Sequence, residues 1–358
     1  MKNKNEQVFH QFACCIPVMG AKRAIMYDLN RATWCHIPND LANILKRFQG
    51  VSKADVYAQF DSANHVILDT YFHFLEEREF IFYTPLEQRD CFPTISTKWD
   101  YPAKINNAIL DIGSDFGADN VGEVLTDLET LGCNHIQLRQ SDALAVLDWS
   151  TILQITRTTA IFSIDVYIPY TQYSREKIDH WVAEHKRIQN VFMYGAPKQS
   201  INYFQERAYG NLICVTQSLF SDVFIQDPAY FTVNRSLYTE SLRYNNYLNR
   251  KLYIDSLGNI KNAPEQEVIF GNIHKDKLAD VINMQSFKSL WKIHKDMLLV
   301  CNDCEYRYMC VDNRIPVKVP NSEMWCFCTS CAYNPYIAKW KNEPGFIPAN
   351  PTFKNKSS

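Results

Sequence analysis

The sequence predicts an α/β fold in more than one domain, and three observations point there. Residues 104–217 alternate compact apolar runs with helical stretches, the pattern of a parallel sheet covered by helices. Residues 23–83 read as two strands, three helices and a further strand. Residues 300–331 hold six of the chain's twelve cysteines. The length, 358 residues, allows two or three domains.

Composition excludes several classes. A formal net charge of -2 with 21% charged residues argues against broad nucleic-acid binding. No apolar run approaches the roughly 18 residues that span a membrane. The start, "MKNKNEQVFHQFACC", lacks the apolar core and cleavage site of a signal peptide. A cytoplasmic, reducing location is therefore expected, where clustered cysteines are metal ligands more often than disulfides. No phosphate-binding, nucleophile-elbow or dinucleotide motif occurs, and "GSDFGADNVG" has the wrong spacing for a phosphate cradle.

Taken in order, "RAIMYDLNRATWCHIP" predicts a hairpin turning at Asp28 to Arg31. Pro38 ends it, and Asn39 is suited to cap a helix carrying Leu41, Ile44, Leu45 and Phe48 at helical spacing. A second helix starts at Ser52. A third, Ala63 to Glu77, aligns Leu68, Tyr71, Phe72 and Leu75, and "EFIFYT" supplies a wing strand, completing a winged-helix pattern. DNA recognition wants a basic helix, whereas the third helix, "ANHVILDTYFHFLEE", is aromatic and ends acidic. An extended peptide adding a strand beside the hairpin suits it better, in a groove formed with the third helix. A purely structural role is the alternative.

The middle region predicts strands at "NNAILDI", "CNHIQLR", "AIFSIDVYI", "NVFMYG" and "NLICVTQ". Helices are expected near Val121 to Leu131 (ending at Gly132), over "ALAVLDWSTILQIT", and from Ser174 to His185. Together these make a parallel α/β sheet or partial barrel. Asp111, His135 and Asp165 fall on its strands and read as satisfied polar groups rather than catalysts. Cys35, Cys91, Cys133 and Cys214 read as packing residues. So do Cys14 and Cys15, since adjacent thiols do not easily chelate one ion.

Beyond Leu252 the style changes. "LYIDSLGNIKN" predicts a hairpin with Gly258 at its turn, and "SFKSLWKIHKDMLLV" a helix leading into the cysteines. These run Cys301-x2-Cys304-x5-Cys310, then Cys326-x-Cys328-x2-Cys331. Thiolates are soft donors, and a CxxC turn lets two sulfurs reach one centre. Spacing alone leaves three readings open. One is an iron-sulfur cluster on the first three plus a later sulfur. Another is zinc between Cys301/Cys304 and Cys328/Cys331. The third is unliganded thiols.

The Cx2Cx5C run, preceded by "IDSLGNIKN" and "FGNI", resembles a SPASM domain, the auxiliary-cluster domain of radical SAM enzymes that modify ribosomal peptides. With "IPVMGAKRAIMYDLNR", "HIPNDL", "FKSLWKIHKD" and "CAYNPYIAKW", the chain resembles the SPASM-domain peptide maturases of grasp-with-spasm systems from about residue 10 to 346. The resemblance implies a winged-helix, leader-binding-like domain over 1–95, a partial radical-SAM-like (β/α) barrel over 96–240, a cysteine-rich SPASM domain over 241–346 and a tail over 347–358.

Departures from the family pattern divide along cluster lines. No cysteine lies 10 to 16 residues before Gly258, the fifth residue after it is Ala263, and the fourth after Cys310 is Arg314. One auxiliary cluster should be absent. The positions of the other survive, which implies a single 4Fe-4S cluster (alternatively zinc) on Cys301, Cys304, Cys310 and Cys331, with Cys326 and Cys328 in reserve. The Cys-x3-Cys-x2-Cys of radical SAM chemistry occurs nowhere in the chain. Neither S-adenosylmethionine nor radical catalysis is expected. The resemblance thus implies a maturation factor that binds a precursor leader and assists an ATP-grasp peptide ligase. An iron-sulfur peptide-modifying or electron-transfer enzyme is the alternative. Neither nucleic acid nor membrane is an expected partner.

Overall fold

Chain order and spatial grouping differ in this protein. The computed structural model describes residues 7–113, 115–204, 209–219 and 227–349. The expected tail, 347–358, falls mostly outside them. The chain divides into one unit of Met1–Trp99, Ile225–Asn246 and Ile293–Ser358, and another of Asp100–Phe224 and Tyr247–Lys292. Residues 241–346 thus contribute to both.

In the first unit, strands β1 (Gln7–Gln11), β2 (Cys15–Met19), β3 (Ala24–Asp28) and β4 (Thr33–Ile37) precede the helices. The predicted hairpin is β3–β4, and β2 pairs on its other side to give the antiparallel order β2-β3-β4. Helix α1 (Asn39–Arg47) buries Leu41, Ala42, Ile44 and Leu45. Asn39 does not cap it: Pro38 holds the cap position, and the Asn39 amide donates instead to the Gly20 carbonyl at 3.0 Å. After the short β5 (Val51–Ser52), Ser52 caps α2 (Lys53–Tyr57) by accepting from the Asp55 amide. Helix α3 (His65–Glu77) buries Leu68, Phe72 and Leu75. The expected wing strand, β6 (Ile81–Pro85), pairs with β1 rather than with the hairpin, in the order β5-β1-β6. Phe9 of β1 meets Phe72 of α3 edge to face, ring centres 5.2 Å apart, inside the shared core.

The second unit holds β7 (Asn107–Ile112), α4 (Ala118–Thr130), β8 (His135–Gln140), α5 (Trp149–Thr156), β9 (Ser163–Pro169), α6 (Arg175–Glu184), β10 (Ile188–Tyr194), β11 (Ser200–Tyr203) and β12 (Asn211–Cys214). It continues with β13 (Lys251–Ile254), β14 (Asn259–Lys261) and β15 (Gly271–Asn272). They form a nine-stranded, mostly parallel sheet in the order β11-β12-β10-β9-β8-β7-β13-β14-β15. From β7 to β10 each crossover steps the same way, the winding of a barrel, but the sheet stays open with β11 and β15 as its edges. Val121, Leu125, Trp149, Ile152 and Trp181 pack with Leu110, Ile136 and Val166 in one core.

Two expected helices are corrected. Over "ALAVLDWSTILQIT" only α5 forms, because Asp148 caps it by accepting from the Thr151 amide, and Leu144 and Val146 are 90% and 96% exposed. Over "SFKSLWKIHKDMLLV" the chain makes separate turns with one 3-10 turn at Lys295–Met297, burying Phe287, Trp291 and Ile293 without helical repeat. Gly258 does turn the β13–β14 hairpin: its φ is +77°, and a Cβ there would lie 2.8 Å from Ile273 Cγ1. Among the described residues, no helix is long and apolar enough to cross a membrane.

Candidate metal centre

The cysteine-rich loop belongs to the first unit and has little regular structure of its own. Cys301 opens a 3-10 turn closed by the Cys304 amide donating to the Cys301 carbonyl at 3.0 Å. Val300, just before it, has φ +69°, a genuine outlier for a β-branched residue and a mark of a constrained site. A second turn ties the Cys310 amide to the Tyr306 carbonyl at 3.0 Å. Cys331 Sγ accepts from the Tyr333 amide at 3.4 Å. Cys304, Cys310 and Cys331 pack against one cluster that contains Tyr27, Tyr306, Met309 and Tyr333.

Burial pushes all four thiols up, Cys301 to about 11. Cys331 acts on both Cys301 and Cys310, Cys301 also acts on Cys310, and Cys304 senses Cys301 and Cys310. Beside them lies a buried charge triad. The Asp312 carboxylate accepts from Lys295 Nζ at 3.1 Å and from Arg314 Nε and Nη2 at 2.9 and 2.6 Å. Burial would raise Asp312, but those two cations hold it down at about 2. Two cations against one carboxylate leave positive charge next to the thiols, and Lys295 and Arg314 both pull Cys301 downward against burial. Arg314 stands where the resemblance would place a further cysteine. Its bidentate grip on Asp312 and its bond to the Thr329 carbonyl at 2.6 Å give that position a structural occupation.

Cys326 is buried beside Cys328, which is exposed. The sulfur that acts most on Cys301 and Cys310 from the second cysteine group is Cys331, not either of these. Among the described residues, only Cys14, Cys15 and Asp28 place three ligand atoms within 4.8 Å of one another. The vicinal thiols read as packing residues thus share a site with a carboxylate. No three of Cys301, Cys304, Cys310 and Cys331 approach that closely.

The loop is fastened to the β2-β3-β4 sheet by contacts that no local motif announces. Arg23 Nε meets Glu305 Oε1 at 2.8 Å, Tyr27 OH donates to the Glu305 carbonyl at 2.9 Å, and His36 Nε2 lies 2.8 Å from Tyr306 OH. A Cβ at Gly20 would sit 2.8 Å from the Glu305 backbone nitrogen, so this position between β2 and β3 has room only for glycine.

Both edges of that sheet can be read from its hydrogen bonds. Gly20 N to Arg23 O and Leu29 N to Cys14 O fix the alternation, which aims the amides of Trp34 and His36 outward from β4. The β2 edge is blunted: Pro17 has no N–H, and Met19 O accepts from Arg307 Nη1 at 2.7 Å. Along β2 runs a cleft of about 1210 Å³, with Phe82, Phe92, Tyr308 and Arg89 among its walls.

In the second unit the strand polar groups are partnered. Asp111 takes two bonds from Arg139, at 2.5 and 2.9 Å, and one from Tyr253 at 2.6 Å. His135 lies 2.7 Å from Ser163 Oγ and 3.5 Å from Asp165, which also accepts from Asn190 at 2.9 Å. Lys251, which the sequence reading passed over, is buried on β13, and that burial lowers it to about 7.

No family model matches the chain, and no curated protein matches it. Crystal structures of SuiB from Streptococcus suis are similar at 10% identity. One is of SuiB itself (TM-score 0.30, covering 84% of this chain and 94% of that one). A second is bound to S-adenosylmethionine (TM-score 0.32, with the same coverage), and a third to the precursor peptide SuiA (TM-score 0.30, covering 85% and 95%). Overlap this low carries no argument about fold or activity.

Proposed function

We propose that this protein is a maturation factor for a ribosomally made peptide: it binds the precursor leader and presents the core to an ATP-grasp ligase that crosslinks side chains. The observation that carries this reading is the junction of the β2-β3-β4 sheet with the cysteine loop in one unit, through Arg23–Glu305 and His36–Tyr306. A leader adding a strand to β4 would use the outward amides of Trp34 and His36 and lie next to that loop. Val66 and Ile67 on α3, 74% and 50% exposed, would be available for apolar contacts if the leader runs on along that helix. The winged-helix and SPASM architectures belong to the same proposal.

Cys301, Cys304, Cys310 and Cys331 would hold one 4Fe-4S cluster, with Cys326 and Cys328 in reserve. Three of the four thiols packed against an apolar cluster, with the Lys295 and Arg314 cations acting on Cys301, suit an anionic, thiolate-bound group. A tetrahedral zinc, with bonds of about 2.3 Å, draws its sulfurs to about 3.8 Å apart. No three of the four sulfurs lie within 4.8 Å of one another, so a single zinc would have to draw them together. When bound, that cluster supplies a structural clamp or one-electron transfer. The loop after β7, residues 113–117, contains no thiol, so cleavage of S-adenosylmethionine has no part in the proposal.

The test is to incubate precursor, ligase and ATP with and without this protein and count water losses by mass spectrometry. Dehydrations that require the protein support the reading; an equal count without it ends it. A second reading, an electron carrier or redox enzyme, draws on the cations Lys295 and Arg314 beside the thiols. It requires a mass change other than loss of water.

A further inference from the structure

Cys14, Cys15 and Asp28 have no part in the proposal above. We propose that these three side chains form a separate site for a single thiophilic cation, with zinc as the physiological class, beside the cleft of the first unit. Their geometry follows from register. Cys15 opens β2 and Asp28 closes β3 directly opposite it, in a pair that exchanges no backbone hydrogen bonds. Such pairs bring Cα atoms to about 4.5 Å and their side chains closest. In a regular strand Cys14 would point to the opposite face. Instead the chain turns from Phe12 to Cys15, the Cys15 amide donating to the Phe12 carbonyl at 2.9 Å, and the two sulfurs lie 4.0 Å apart. All three ligand atoms fall within 4.8 Å of one another. Sulfurs on one tetrahedral zinc are about 3.8 Å apart, so the thiols need almost no movement.

The support around the site is already built. Leu29 N donates to the Cys14 carbonyl at 2.9 Å, and the Gln11 amide donates to the Cys15 carbonyl. Asp28 Oδ1 is anchored by the amides of Asn30 and Arg31 at 3.1 and 2.9 Å. Oδ2 faces the Arg31 guanidinium at 3.3 Å, and Arg31 also reaches Glu79 Oε2 at 2.6 Å and the Arg78 carbonyl at 2.9 Å. A cation taking Oδ2 therefore leaves Arg31 with two partners. Two soft thiols and one carboxylate suit zinc or cadmium over calcium or magnesium. Three protein ligands leave a fourth position, as in zinc sites that bind water or substrate. Cys15 lines the cleft, which gives an exchangeable ligand a route in.

The test uses the full chain under reductant, its C-terminal centre already loaded, titrated with zinc and separately with cadmium. The expected result is one more bound equivalent than the Cys14→Ser chain takes, with a cadmium-thiolate absorbance that Cys14→Ser loses and Cys133→Ser keeps. Asp28→Asn should weaken binding by at least about tenfold, no less than loss of an outer-shell partner costs a metal site. Equal stoichiometry and affinity in the wild type and Cys14→Ser overturns the proposal. Cys15 is buried, so its own replacement threatens folding. Alkylation of Cys14 in the wild type, followed by peptide mapping, replaces that variant. Protection by zinc agrees with the site, and equal labelling with and without zinc contradicts it.

Discussion

The parallel sheet of the second unit and the cysteine loop of the first are held together by different physics. The parallel sheet of the second unit rests on a continuous apolar core from Ile105 to Trp291, with helices supplying the other half of each contact. The cysteine loop of the first unit has only two-residue strands, Val317–Lys318 against Trp325–Cys326 and Tyr333–Asn334 against Lys339–Trp340. Its order comes from a small aromatic cluster around Tyr306, Met309 and Tyr333, from buried charges and from bonds to the N-terminal sheet. If the proposed centre forms, it becomes part of a fold in which regular structure is scarce, and its binding energy would appear as folding energy.

The largest expected effect breaks the loop and spares the sheet. With the proposed centre in place, Cys304→Ser should release its metal and raise hydrogen exchange across residues 300–340, leaving the amides of β7 to β10 protected. Cys133→Ser is the converse control. Cys133 is buried in the sheet unit and donates to the His135 carbonyl at 3.3 Å, so its change should cost about 1–2 kcal/mol there and release no metal.

A smaller effect separates charge from packing. Asp312→Asn leaves Lys295 and Arg314 without their carboxylate, a loss of about 3–5 kcal/mol concentrated in the loop. The folded value of Asp312, about 2, lies below its ordinary 3.8. The carboxylate therefore contributes stability that is full above the ordinary value and lost as pH falls toward 2. That component is about 2 kcal/mol, and acid melts of Asp312→Asn should lack it. In the sheet unit Leu153→Ala should cost about 2–5 kcal/mol with no change in metal content, since Leu153 is fully buried on α5. The smallest effect belongs to Leu144→Ser, within about 0.5 kcal/mol, because that side chain is 90% exposed.

Much of the sheet was legible because its strands are short apolar runs bounded by polar turns, and Ser174 and Gly132 mark helix ends in their own residue types. Strands β1 and β2 escaped notice. QVFHQ holds only two apolar residues and CIPVM contains a proline, while their order comes from partners such as Thr84 opposite Val8. Leu144 and Val146 misled because helical periodicity does not reveal that Asp148 will start the helix later. The cysteine spacing marked the loop, and the family resemblance, not spacing alone, singled out Cys301, Cys304, Cys310 and Cys331. The partners around it did not show: Arg23 and Glu305 are 282 residues apart, and no local pattern links them. The Cys14–Cys15 pair was visible, but the register that brings Asp28 to it was not.

Iron, sulfide and zinc analysis of the anaerobically purified and reconstituted chain tests the central claim most directly. The account predicts a brown protein with about four irons and four sulfides per chain, lost when Cys301, Cys304, Cys310 or Cys331 is changed to serine. A colourless chain whose loop holds a single zinc, or one that takes up no metal after reconstitution, would contradict it.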